Sequence, residues 1–408
     1  MQTILRVSSP GNETSRSPSI SGDGRFVAFS SLADNLVEGD TNDKMDIFVY
    51  DRSDGRIECL TRGADGHSFT PVLSANGRFV AFVSQATNLV EGDTNGHEDV
   101  FVHDRKTGTT WRASVDSQGR QAEGRSGSPS LSADGRYVAF ESSAENLVSG
   151  DTNGARDIFL RDNWLQETTR ASLGAEGVQA DADCSSPSLC ADGSRVAFQS
   201  EATNLGCENY ETNVYVRDLR GGRTLAASLT GEGGPANGRS YHPVLSGDGR
   251  KLAFETTSTN LVTGGSRGMG DVVVRDLDSG RMYLASAPGD RASGNASLSH
   301  DGGVVAFDSF AANLTPGDTN GESDIFVRHL ESGSTVRVGG SAGSYLPALS
   351  ADGKSVAFMS LASDLGPPDD NSTWDVYLAE ARAYPDDDET WDGCVPPATV
   401  ERPTWFLR

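Results

Sequence analysis

Five loops of this 408-residue chain share the pattern Asp-x-Asn-x-x-x-Asp. They are Asp40/Asn42/Asp46, Asp93/Asn95/Asp99, Asp151/Asn153/Asp157, Asp318/Asn320/Asp324 and Asp369/Asn371/Asp375. Alternate oxygen side chains can wrap a hard cation, and a glycine after the Asn (Gly96, Gly154, Gly321) permits the turn. Calcium is the cofactor such loops would take. With so few carboxylates its affinity would be weak, on the order of 10⁻⁴–10⁻³ M. The plainer reading is that Asp and Asn cap turns by bonding nearby backbone amides. Asp271 supports that reading, because it recurs where the upstream pair is missing. The loop from Cys207 to Asn213 and the loop before Asp271 are expected to hold no metal.

A second set of residues suits an organic or anionic ligand. Arg16, Phe69, Tyr241 and Tyr345 each stand two residues before a proline that opens a short strand. His67, Arg125, Arg239 and His242 flank such positions. Aromatic faces supply apolar contact and arginines supply directed donors. The alternative is a set of ordinary solvated loop residues. These groups are far apart in sequence, so only the fold can gather them.

The fold is legible in a repeat. Ser-x-Asp-Gly-x-x-Val-Ala-Phe and its variants recur seven times, with the Asp or Asn of the turn at 23, 76, 134, 192, 248, 301 and 352. An Asn-Leu element such as Asn35-Leu36, an acidic loop, and a strand such as Asp46-Ile47-Phe48-Val49-Tyr50-Asp51 follow the motif. The Asp-Gly pair marks a tight hairpin turn. Each repeat reads as four short strands, here named a to d, and no segment has helical periodicity of useful length. Seven such units predict an all-β fold, a seven-bladed β-propeller of four-stranded blades. The last repeat lacks strand d, while Thr3-Ile4-Leu5-Arg6-Val7-Ser8 at the start matches one. The N-terminal strand should therefore close the ring. Residues 1–380 are expected to form the propeller, and residues 381–408 an acidic, proline-containing tail.

The unit Pro-x-x-Ser-x-Asp-Gly-x-x-Val-Ala-Phe…Asp-Ile-Phe-Val-x-Asp resembles the TolB-type, WD-like β-propeller repeat over residues 1–380. The resemblance implies the fold. It leaves function open, since similar propellers serve as protein-interaction platforms, binding modules, and domains of peptidases and lyases. In a propeller the d–a and b–c loops share one face, where the d–a loops ring the mouth of the central channel. That face would gather the aromatic, Arg and His residues above.

The expected function is a ligand- or protein-binding propeller module, with calcium-ordered loops on the mouth face. The alternative is an enzyme of small-molecule or peptide metabolism, of hydrolase, lyase or cyclase type, with its site at the mouth. No Gly-x-Ser-x-Gly elbow, His-Glu-x-x-His or phosphate-cradling loop is present in the sequence. A histidine general base beside Tyr241 is the one catalytic arrangement that the order suggests. No organic cofactor is indicated. The five cysteines (Cys59, Cys184, Cys190, Cys207, Cys394) are odd in number and irregularly spaced, so free thiols are expected.

The net charge of −24 excludes a basic nucleic-acid footprint. No run of residues is apolar enough for a membrane-spanning helix. The expected partners are a protein or a small organic ligand, with the chain itself a monomer. The protein is expected to be cytoplasmic if the chain is full length, and exported if a signal peptide has been removed.

Overall fold

The computed structural model describes residues 4–380 other than 208, 210, 267 and 367–370. The tail at 381–408 and the predicted loop residue Asp369 lie outside the described residues. Seven four-stranded antiparallel sheets follow one another along the chain. Blade one is typical: strand a Ser15–Ile20, b Phe26–Ser31, c Asp46–Asp51 and d Arg56–Cys59. Strand a of each blade touches strand a of both neighbours, so these strands line the central channel and strands d face outward. Blade seven combines Ser344–Leu349, Ser355–Ser360 and Asp375–Glu380 with Ile4–Arg6 from the N-terminus. Leu5 pairs opposite Leu378, so the two ends of the described chain close the ring as expected. Closure covers the edge of strand c in the last sheet and leaves a strand d outermost, as in the other blades.

The repeated Val-Ala-Phe motif explains the packing. Alternation sends Val and Phe of strand b to one side of the blade and Ala to the other. The small Ala lets the next sheet approach. In six blades the Phe of strand b stacks on an aromatic ring of strand c, as Phe29 does on Phe48 at 5.7 Å and Phe82 on Phe101 at 5.9 Å. All twelve of these rings are buried. Offset stacks of this kind add to the gain from burial.

The two faces differ. On the hairpin face, the a–b turn is capped by Asp23, which accepts from Ser21 Oγ and the Arg25 amide. A ring of backbone hydrogen bonds joins these turns blade to blade. Gly22 donates to Ala75, Ala75 to Ala133, Ala133 to Ala191, Ala191 to Gly247, Asp248 to His300, His300 to Ala351, and Ala351 back to Gly22. The circuit is complete and draws this end of the channel together.

On the mouth face, strand a bulges at the same place in every blade. Ser17, Thr70, Ser128, Ser186, His242, Asn295 and Leu346 all have φ between 48° and 55°. Such left-handed backbone is costly for residues other than glycine and persists only where its surroundings hold it. The bulge turns an amide toward the preceding blade, which gives the mouth its chemistry.

Candidate functional site

The acidic loops lie on the mouth face as expected, but in blades two, three and six their charges have arginine partners. The final Asp opens strand c and is fully buried in blades one, two, three, six and seven. In four of them its carboxylate accepts from a hydroxyl two residues past strand d: Ser114 bonds Asp99 at 2.5 Å, and Ser172, Thr61 and Ser8 bond Asp157, Asp46 and Asp375. The Asn of the loop closes an Asx turn and, in three blades, donates to the same Asp. Asn95 bonds Asp99 at 2.8 Å, Asn153 bonds Asp157 at 3.0 Å, and Asn320 bonds Asp324 at 3.1 Å.

An arginine completes the arrangement. Arg112 Nη2 lies 3.1 Å from Asp93 Oδ2, with Asp99 at 3.7 Å. Arg170 Nη2 lies 3.1 Å from Asp151, with Asp157 at 3.5 Å. Arg337 spans Asp318 and Asp324 at 3.7 and 2.8 Å. In blade seven, Arg6 lies 3.3 Å from Asp375. Each arginine sits at one register position of strand d, opposite the aromatic residue of strand c. In blades two, three and six its guanidinium fills the place between the two carboxylates that the calcium reading gave to an ion. The calcium expectation for Asp93/Asn95/Asp99, Asp151/Asn153/Asp157 and Asp318/Asn320/Asp324 is corrected on that physical ground. Burial still raises the pKa values of Asp93, Asp99, Asp151, Asp157 and Asp324, with arginine and hydroxyl groups opposing it.

In blade one, Asn42 Oδ1 accepts from the Lys44 amide at 3.0 Å, and its Nδ2 donates to the Ala64 carbonyl at 3.2 Å. Asn42 thus closes and anchors the turn, a role that accounts for it without a cation. Asn371 is used in the same way. Its Oδ1 accepts from the Thr373 amide at 3.0 Å, and its Nδ2 donates to the Gly11 carbonyl at 2.7 Å.

Blade six shows how local the rule is. Gly339 stands where the other blades carry Ser or Thr, and Asp324 Oδ1 has no hydrogen-bond partner. Blade four carries Asn213 in place of the Asp, bonded to Ser228 Oγ at 3.0 Å.

The predicted ligand residues divide. Arg16 turns to Met45 Sδ at 3.3 Å, and His67 Nδ1 accepts from the Met45 amide at 2.9 Å. Phe69 packs on the core between blades two and three. Arg125 and Arg239 form ion pairs with Glu98 and Glu211 on neighbouring loops. Arg125 and Arg239 therefore spend their charge on protein carboxylates, which weakens the expectation of an anionic ligand. Tyr241, His242 and Tyr345 remain on the mouth face.

They sit in an arrangement absent from the sequence reading. The fifth residue of strand b is Glu141, Gln199, Glu255 and Asp308 in blades three to six. Each reaches the bulge of the next blade. Ser186 N donates to Glu141 at 3.0 Å, His242 N to Gln199 at 2.7 Å, Asn295 N to Glu255 at 2.7 Å, and Leu346 N to Asp308 at 3.1 Å. Two bulge side chains fold back onto their own strand b. His242 Nδ1 lies 3.0 Å from Glu255 Oε1, and Asn295 Nδ2 lies 2.8 Å from Asp308 Oδ2. The Glu255 contact raises the His242 pKa above its ordinary value. Burial pushes the Asp308 carboxyl up to about 6, with Asn295 and the Leu346 amide opposing it. A buried carboxyl perturbed in this way, at an opening, marks a functional-site candidate.

Beside this carboxylate arc lies an apolar one. Tyr345 packs edge-on against Phe310 and Trp374, with centroids 6.2 and 5.6 Å apart. Phe310 opens the b–c loop of blade six, and the equivalent residues of blades seven and one are Leu361 and Leu32. All three are more than a third exposed. In blades two to five the same position is Gln85, Ser143, Glu201 and Thr257. The mouth is thus acidic along blades three to six and apolar along blades six, seven and one.

A separate cleft of about 830 Å³ lies between blades two and three, lined in part by Phe79, Trp111, Arg112, Arg161 and Trp164. It lies apart from the carboxylate arc. Its main polar groups are engaged: Trp111 Nε1 donates to Asn163, Arg161 to the Asp116 carbonyl, and Arg112 pairs with Asp93. We therefore place the candidate site at the mouth.

No protein-family model matches the chain, and no curated protein matches it. Solved structures do. An oligogalacturonate lyase in complex with manganese aligns with a TM-score of 0.62 and 14% identity, over 92% of each chain. The β-propeller domain of the trilobed protease from Pyrococcus furiosus aligns at 0.56 and 11%, over 93% of this chain and 96% of that one. TolB from Acinetobacter baumannii is 16% identical at a TM-score of 0.46, and the match spans 79% of this chain and 65% of the TolB chain. Together with the blade count, the lyase and protease-domain likenesses define the class: a seven-bladed β-propeller. They carry the fold and no further.

Proposed function

We propose that the protein is a binding module whose channel mouth takes a basic, partly apolar ligand, such as a lysine- or arginine-bearing segment of a partner protein. The observation that carries this reading is the division of one opening into a carboxylate arc, centred on Glu255 and Asp308 because Glu141 pairs with Arg156, and an apolar arc, Phe310–Tyr345–Trp374. A cationic head would meet carboxylates and aromatic faces, while its aliphatic stem lies along the apolar arc. The net charge of −24 would steer such a ligand toward the protein. An acidic sugar, the kind of substrate named for the lyase neighbours, would meet like charge here.

The test is calorimetric titration of the full chain with short Arg/Leu peptides, matched Glu/Leu peptides and uncharged controls. The basic peptides should bind, and Asp308→Asn with Glu255→Gln should weaken them at least about tenfold. Preference for acidic peptides, or affinity indifferent to both substitutions, would overturn the reading.

An enzymatic reading rests on a different observation. His242 bonds Glu255 through Nδ1, which leaves Nε2 as a base oriented by a carboxylate, next to Tyr241 with ring centroids 5.2 Å apart. Loss of turnover in His242→Ala, with ligand affinity retained, would favour it over simple binding.

A further inference from the structure

Blade one breaks the rule that the other acidic blades keep. At the register position of Arg112, Arg170 and Arg337, its strand d carries Cys59, opposite Phe48. Asp40 and Asp46 are 7% and 0% exposed, so two carboxylates are buried with no guanidinium between them. Arg62 lies near Asp40, but its Nε donates to the Gly39 carbonyl at 3.1 Å. Asp46 Oδ1 accepts from Thr61 Oγ1, whereas Oδ2 has no hydrogen-bond partner. In blades two, three and six the loop Asn bonds this oxygen. Here Asn42 lies close enough to favour the charge of Asp46 and donates to the Ala64 carbonyl, as its sister asparagines donate to theirs, but its second bond, to Asp46 Oδ2, is not made. A buried, unpartnered carboxylate oxygen is expensive, and it signals a missing partner. One ligand atom from each of Asp40, Asp46 and Cys59 lies within 4.8 Å of the other two.

We propose that Asp40, Asp46 and Cys59 bind a single borderline divalent metal ion of the zinc type. Two carboxylates and a thiolate are three ligands of suitable kind for tetrahedral zinc, and solvent can complete the set. The thiolate separates this site from the calcium reading, because hard cations take oxygen ligands while sulfur selects softer ones. Cys59 is half-buried rather than sealed, which leaves an entry path. The ion would do in blade one what the guanidinium does in its sister blades. The inference is independent of the mouth-binding reading.

Titration of the metal-stripped full chain with cobalt(II), and then with zinc, tests it. The wild type should take up about one equivalent of cobalt with a thiolate charge-transfer absorption, and zinc should displace it. Calcium in excess should not. Cys59→Ser should weaken binding by about 100-fold and erase the thiolate band. Cys59→Arg should abolish binding while keeping the thermal midpoint at or above that of metal-free wild type, since blade two already folds with an arginine there. Absence of the thiolate band in the wild type would overturn the proposal. So would a band that survives in Cys59→Arg, or one that calcium removes.

Discussion

Arg170 Nη2 stands 3.1 Å from Asp151 Oδ1, with side chains 6% and 2% exposed. The pair lies on the mouth face of the propeller but is wholly internal, and Asp157 shares the same guanidinium. Removing one partner of a buried ion pair leaves an uncompensated charge. Arg170→Ala should therefore destabilise the fold by about 3–5 kcal/mol near neutral pH. The loss should shrink as pH falls, because the freed carboxyls can then bind protons. Urea unfolding of the variant near neutral pH and at about pH 5 checks this; a deficit that grows toward acid would contradict it.

The turn-face circuit depends on glycine where blades meet. Gly77 has φ +67°, and a Cβ placed on it would lie 2.2 Å from the Phe26 ring of the preceding blade. Gly119 has φ +80° with open space around it. Gly77→Ala should cost about 2–4 kcal/mol, against about 1 kcal/mol for Gly119→Ala. Thermal melts of the two variants separate ring-packing strain from backbone strain, and equal losses would refute the contact argument.

Asp308 offers a pH test of the mouth. Its folded pKa, about 6, lies above the ordinary 3.8. The folded state therefore holds the proton longer than the unfolded chain, and stability falls as pH rises from about 4 to about 6. Asp308→Asn should remove that loss and gain about 1–3 kcal/mol near neutral pH, with little effect below about pH 4. Denaturation midpoints across this range provide the measurement; a variant weakened at neutral pH would show that the charge is better accommodated than its burial implies.

Ligand binding should follow the same groups in the opposite sense. Protonation of Asp308 removes a negative charge, and protonation of His242, whose pKa Glu255 raises, adds a positive one. Both disfavour a cation. Affinity for a basic peptide should therefore rise as pH increases through about 6 and level off above the His242 titration. A profile that declines over this interval would place the cation elsewhere.

The architecture was legible because each repeat states it again: the Asp-Gly turns, the Val-Ala-Phe strands and the orphan strand at Ile4–Arg6 all took their expected places. The site was less so. The acidic loops read as cation sites because their neutralising arginines arrive on a later strand. A signal was present in Arg112-Ala113-Ser114 and Arg170-Ala171-Ser172, which repeat one triplet, and in Cys59-Leu60-Thr61, which departs from it. Glu141, Glu255 and Asp308 are hard to single out because they lie within strands whose neighbours are core residues. Their polarity at a position filled by Val83 or Met359 elsewhere was the available clue. Only the bulge geometry shows that these carboxylates reach from blade to blade.

In blade seven the arginine and its carboxylate come from opposite ends of the propeller. Arg6 lies 3.3 Å from Asp375, and both are buried. On the ribosome, Arg6 emerges long before Asp375 exists, so this electrostatic latch can shut only after almost the whole propeller has been synthesised. The Asp375 carboxylate can be buried in its ion pair only once the first strand docks on the last sheet. Charge thus acts as a completion check on the circle: a chain cut short before Asp375 lacks the lock, and a chain whose first strand is held away by a fused neighbour lacks the key.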